Sequence, residues 1–107
     1  MPPIPIVPRY KLMILFDVQP TQYEHYYRYL LGDFIPGLQK MQLYPFMAWL
    51  TAYGNYRQRQ VEFVAENLDV VKAALASDSW QKLEEGLQSH THNYTRKLVQ
   101  FKDRFQF

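Results

Sequence analysis

Hydrophobic and polar positions switch period several times along the chain, and the switches predict six elements. In Tyr10–Val18 one alternating set, Tyr10, Leu12, Ile14, Phe16 and Val18, is wholly apolar. The other set, Lys11, Met13, Leu15 and Asp17, is apolar only in its middle. This reads as a strand covered on both faces at its centre. Thr21-Gln22-Tyr23-Glu24 then has the form of a capping box, with Pro20 ending the strand before it. The helix that follows runs to about Leu31. Its predicted buried stripe is Tyr23, Tyr26, Tyr27, Leu30, Leu31 and Phe34, with Glu24, His25 and Arg28 outside. Gly32 and Pro36-Gly37 interrupt the period, so residues 32–41 are expected as a helix, a bend and a final turn.

The second strand is read at Leu43–Tyr53, with Pro45 near its start, and Gly54-Asn55 supplies a hairpin turn into a third strand over 56–66. There Arg57, Arg59, Val61, Phe63 and Ala65 alternate with Gln58, Gln60, Glu62, Val64 and Glu66. A helical period returns from Leu68 to about His92 through Leu68, Val71, Leu75, Trp80, Leu83 and Leu87. Ser77 or Asp78 recaps it, which predicts a short helix kinked into a longer one. The last strand is expected at Arg96–Phe101, with an alternating tail to Phe107.

The order βαββαβ predicts an α+β, ferredoxin-like domain: a four-stranded antiparallel sheet, order 4-1-3-2, with the helices on one face. Met13, Leu15, Val64, Leu98 and some of Phe46, Ala48 and Leu50 are then left for the other face. An apolar surface of that size predicts a partner, and two sheets packed face to face in a homodimer, or a larger oligomer, would cover it.

Bulk properties narrow the picture. At 107 residues there is room for one core, placed at 10–107. Residues 1–9 carry Pro2, Pro3, Pro5 and Pro8 and read as an extended arm. The surplus of tyrosine suits half-buried surfaces such as interfaces and pocket walls. A net charge of +2, spread through both halves, argues against nucleic acid as a partner. The absence of cysteine excludes disulfides, thiolate catalysis and cysteine-ligated metals. No apolar run approaches the roughly 20 residues of a membrane span, and the proline-broken start is unlike a signal peptide, so a cytoplasmic protein without membrane association is expected.

Two local patterns carry a family resemblance. One is Phe34-Ile35-Pro36-Gly37-Leu38; the other is Val61-Glu62-Phe63 followed by Ala73-Ala74-Leu75-Ala76-Ser77-Asp78-Ser79-Trp80. With the order of elements, they resemble the dimeric α/β-barrel superfamily, which includes antibiotic-biosynthesis monooxygenases, stress-responsive barrel proteins and heme-degrading monooxygenases. The heme-degrading branch would need an Asn on the first strand, which has none. Aligned on Ser77, Ala74 stands at that branch's Trp position and Glu84 at about its His position. The resemblance therefore implies no heme, and no cofactor is expected. The cofactor-independent branch implies Asn, Trp and Tyr side chains around a polyaromatic substrate, and Trp49, Tyr53, Tyr26 and Tyr94 are the residues available for such a lining.

Other chemistry is weighed on the residues alone. His90 and His92 point to different sides if helical, but in an extended segment could share a metal with His25 or Glu85. The bland reading is imidazoles at a helix C-terminus. Asp17 and Glu62 lie on partly apolar strand faces. Glu62 could be a base if buried in a cavity, or could pair with Lys97 or Lys102. The third strand lacks the glycine and aromatic spacing of an RNA-recognition motif. Three readings stay open: a homodimeric barrel binding an apolar or aromatic small molecule between sheet and helices, a cofactor-independent monooxygenase in the same cavity, and a purely structural or assembly protein. The candidate pocket lining is Tyr26, Trp49, Tyr53, Glu62, His90 and Tyr94; no catalytic residue and no metal ligand is assigned.

Overall fold

The structure is a computed structural model that describes the backbone of residues 5–53 and 56–100 and the side chains of residues 5–46 and 59–100. The side chains of Trp49 and Tyr53, the Gly54-Asn55 turn, the start of the arm and the tail from Phe101 lie outside the described residues. Four strands, β1 (Tyr10–Asp17), β2 (Tyr44–Tyr53), β3 (Tyr56–Ala65) and β4 (His92–Gln100), form one antiparallel sheet. Its order, β2-β3-β1-β4, is the predicted one read from the opposite edge. The helices are α1 (Tyr23–Tyr29), α2 (Ile35–Lys40), α3 (Leu68–Leu75) and α4 (Asp78–Gln88). This is the ferredoxin-like arrangement expected from the order of elements.

Residues opposite one another in an antiparallel pair share a face. Leu12 opposes Phe63 and Ile14 opposes Val61, and all four are buried beneath the helices with Phe16. The core is completed by Tyr26, Phe34, Leu38, Val71, Trp80 and Leu87. Met13, Leu15, Glu62 and Val64 take the other face, as the alternation requires. Leu98 does not. It opposes Leu12 and so lies on the helix side, while Val99, opposite Lys11, is the apolar residue that β4 gives the helix-free face. The reason is the register of β4 against β1, regular from Thr95 to Gln100, which alternation within one strand does not contain. β4 itself begins at His92 rather than at Arg96 as predicted, with a register shift between Leu15 and Asp17. Val64 is also already buried within one chain. Its cross-strand neighbours on both sides, Lys11 and Tyr44, carry longer side chains.

The first crossover departs furthest from expectation. A 3-10 turn, Pro20–Gln22, precedes α1, and neither makes a side-chain cap. Glu24, expected in a capping box, instead pairs with Arg28 one turn on, at 2.6 Å. From Leu30 to Phe34 the helix widens into a π turn and then resumes as α2, with no bend into a separate piece. Pro36 is the local cause: it has no N–H to continue an α-helical ladder, and a π turn is one way a helix absorbs that loss. Tyr26, Leu30, Phe34 and Leu38, each four residues on, are buried. Tyr23, Tyr27 and Leu31, predicted in the same stripe, are exposed. The helix ends at Gln42 (φ 64°), where the Leu43 N–H reaches back to the Leu38 carbonyl, as in a Schellman cap.

The second crossover follows the prediction. Ser77 caps α4, its hydroxyl accepting from the Trp80 N–H at 3.1 Å and donating to the Ala74 carbonyl at 2.7 Å. Pro45 sits on an edge strand beside a bulge between Pro45 and Met47, a place where a missing donor is tolerated.

Candidate functional site

Three aromatic rings converge at one end of the sheet–helix interface. Phe16, near the end of β1, is approached edge-on by Tyr26 of α1 (centroids 5.4 Å, 64°) and in parallel by Tyr94 of β4 (6.4 Å, 12°). The bulge in β4 is what places Tyr94 there. Asn93 takes a left-handed conformation (φ 54°), which Asn tolerates better than most residues, and its side-chain amide donates to Asp17 Oδ2 at 2.9 Å.

On the α4 side, the Tyr94 hydroxyl donates to Glu84 Oε2 at 2.8 Å, and the same oxygen accepts from Arg96 Nε at 2.6 Å. Arg96 also lies 5.6 Å over the Trp80 ring. Burial and the hydrogen bond to Glu84 push the Tyr94 phenol far up, so it stays a neutral donor. On the α1 side, the Arg59 guanidinium stands 4.6 Å from the Tyr23 ring centroid and 5.6 Å from that of Tyr26. Burial pushes the Tyr26 phenol up to about 12, against a smaller lowering by Arg59. The result is a cluster of three rings with one arginine on each flank. Phe16 and Tyr26 are buried in the core, and half-buried Tyr94 closes this end of it.

Of the six predicted lining residues, the fold brings Tyr26 and Tyr94 together through Phe16. His90 lies apart, in the turn after α4, with its ring 6.4 Å from His25 and 5.7 Å from Tyr29. His92 is exposed on β4, and among the described residues no three His, Cys, Asp or Glu side chains are placed to share a metal. Glu62 is on the opposite face of the sheet. It is 2% exposed, its Oε1 lies 3.4 Å from Lys11 Nζ, and its Oε2 accepts from the Gln60 amide at 2.6 Å. Among the described residues Lys11, not Lys97, is therefore its cation, because Lys11 precedes by two the Met13 that opposes Glu62 in register; Lys102 lies outside the described residues. Glu62 does not enter the sheet–helix space. Trp49 and Tyr53 have side chains outside the described residues.

The backbone path now has counterparts. Matches among solved structures include a NIPSNAP family protein from Agrobacterium tumefaciens C58 (TM-score 0.65, 11% identity, 91% of this chain and 89% of that one). Another is a candidate antibiotic biosynthesis monooxygenase from Caulobacter crescentus CB15 (0.66, 11%, 90% and 92%). A third is an "ethyl tert-butyl ether d" family protein from Bacillus halodurans C-125 (0.61, 13%, 88% and 99%). The fold is theirs. No protein-family model and no curated protein matches the chain. The superfamily resemblance read from the sequence thus holds at the level of fold, and at these identities the likeness carries no residue role.

Sequence reasoning missed Arg59, Glu84 and Arg96 as members of the site. Arg59 had a signal, being a polar member of the strand set in which Val61, Phe63 and Ala65 are buried. Glu84 stands near a histidine position of the heme-degrading branch, and its engagement by Tyr94 and Arg96 gives it a different role. Elsewhere a groove of about 550 Å³ runs between α2 and α4, lined by Gly32, Lys40, Lys82 and others, and none of the predicted residues borders it. No helix among the described residues is long and apolar enough to cross a membrane.

Proposed function

We propose that the protein is a homodimer, paired through the helix-free face of its sheet, that binds an apolar or aromatic small molecule at the mouth bounded by Tyr26, Phe16 and Tyr94. The observation that carries the binding reading is the convergence of those three rings beside polar groups held by Glu84 and Arg59. Pockets for small molecules combine an apolar wall with a few placed polar groups in this way. The dimer is supported by Met13, Leu15 and Val99, apolar side chains on the face without helices.

Ligand-detected NMR with a panel of polycyclic and monocyclic aromatics tests the site. Binding that is lost on Tyr26→Ala, in a variant that stays folded, supports it; no binding across the panel defeats it. Sedimentation at micromolar concentration tests the dimer, and a monomer there defeats that part.

A second reading places cofactor-independent monooxygenase activity in the same mouth. It draws on the shared fold of the Caulobacter protein and on the Tyr94–Glu84 hydrogen bond, a proton-bearing pair beside an aromatic wall. Oxygen uptake with anthrone-like substrates would support it. A ligand that binds without turnover leaves the binding reading alone.

A further inference from the structure

Arg59 is half-buried and faces two phenol rings, yet among the described residues no carboxylate or hydrogen-bond acceptor meets its guanidinium. The ion pairs found among them use Lys11, Arg28 and Arg96. A ring face attracts the cation but satisfies none of its five N–H donors. A neutral ligand laid over this arginine would strip water from those donors and put nothing in its place. A carboxylate would meet two of them at once, in the fork geometry that distinguishes arginine from lysine. Beside it, Tyr23 and Tyr27 stack at 5.8 Å with 17° between their planes, both well exposed. They form an exposed aromatic pair that meets the cation at Tyr23 and serves as the shelf for a ring.

We propose that this mouth takes an anionic aromatic small molecule, a ring bearing a carboxylate, with the carboxylate on Arg59 and the ring against the Tyr23–Tyr27 shelf. The inference rests on the reading of the site given above and adds the charge of the ligand. Tyr26, held neutral by burial, would sit beside the carboxylate without repelling it.

The test is a titration of the full chain, followed by NMR, with two probes that share a ring system: 2-naphthoate and the uncharged 2-naphthalenemethanol. At low ionic strength naphthoate is expected to bind about tenfold tighter or more, the order of a hydrogen bond to a charged group. Shifts should centre on Tyr23 and Tyr27. Arg59→Gln should remove the preference, bringing the affinities of the two probes together. Arg59→Lys, which keeps the charge and loses the fork, should keep only part of it. Equal affinities for the two probes, or a preference that survives in both variants, overturns the proposal while the binding site stands. Failure of both probes to bind overturns the site reading and this inference with it.

Discussion

The Tyr94 hydroxyl donates to Glu84 Oε2 at 2.8 Å, tying β4 to α4 through an oxygen that Arg96 also engages. Tyr94→Phe removes one donor and leaves the carboxylate still paired. The expected cost is about 1 kcal/mol, in the range of a single hydrogen bond. Thermal unfolding should shift down by roughly 4–8 °C for a domain near this size. Glu84→Gln, which removes the charge that Arg96 needs, should cost more. Equal stability of the two variants would show that the ion pair contributes nothing beyond the phenol bond.

Tyr26 gives a prediction for alkaline pH. Its phenol ionises at 10.0 in the ordinary case and is pushed up to about 12 in the fold, chiefly by burial. Between those values the unfolded chain has released the proton and the native state has kept it. Stability from this group is therefore complete below the unfolded value and is lost as pH rises toward the folded one. Denaturant unfolding across that window should show a falling midpoint whose slope is reduced in Tyr26→Phe, Tyr94 and Tyr29 supplying the remainder.

Gly86 allows α1 and α4 to approach. A Cβ at Gly86 would collide with the Tyr29 hydroxyl, which donates to the Leu83 carbonyl at 3.0 Å. Gly86→Ala should destabilise by about 1–3 kcal/mol, the cost of overpacking, despite the better helix propensity of alanine. Adding Tyr29→Ala should recover part of that loss. Strict additivity in the double-mutant cycle would mean that the two side chains do not compete for the same space.

Glu62 is a buried carboxylate on the face without helices. Lys11→Met removes the ammonium 3.4 Å away and should destabilise by about 1–3 kcal/mol, since among the described residues the carboxylate then keeps only the Gln60 amide. The pair Lys11→Met with Glu62→Leu should be less destabilised than Lys11→Met alone, because no uncompensated charge is left behind. Chemical denaturation of the three variants checks the order.

The legibility of the fold and of the site differ for a physical reason visible in particular residues. Leu12, Ile14, Val61 and Phe63 could be assigned to one face from alternation alone, and Ser77 could be read as a cap. Alternation and capping act within a few residues of the chain, so a local pattern contains them. The exposure of Tyr23 and Tyr27 could not be read, because the burial stripe is set by a π turn several residues further on. The face of Leu98 could not be read either, because it depends on the register of β4 against β1, and a one-residue change of register reverses every side chain of a strand.

What the sequence by itself determined is the order of elements, the strand order and most of the helix-facing core, since hydrophobic period and turn chemistry are local and the handedness of crossovers leaves few topologies. What only the tertiary structure decided is the site. Tyr26 meets Tyr94 across Phe16, Glu84 is shared by Tyr94 and Arg96, and Arg59 comes to rest on Tyr23, all because strand register and helix packing fix distances between residues far apart in the chain. Tyr26 and Tyr94 were visible as candidates from their aromatic character. Arg59 became a candidate only where the fold set it against the Tyr23 and Tyr26 rings and gave it no carboxylate among the described residues.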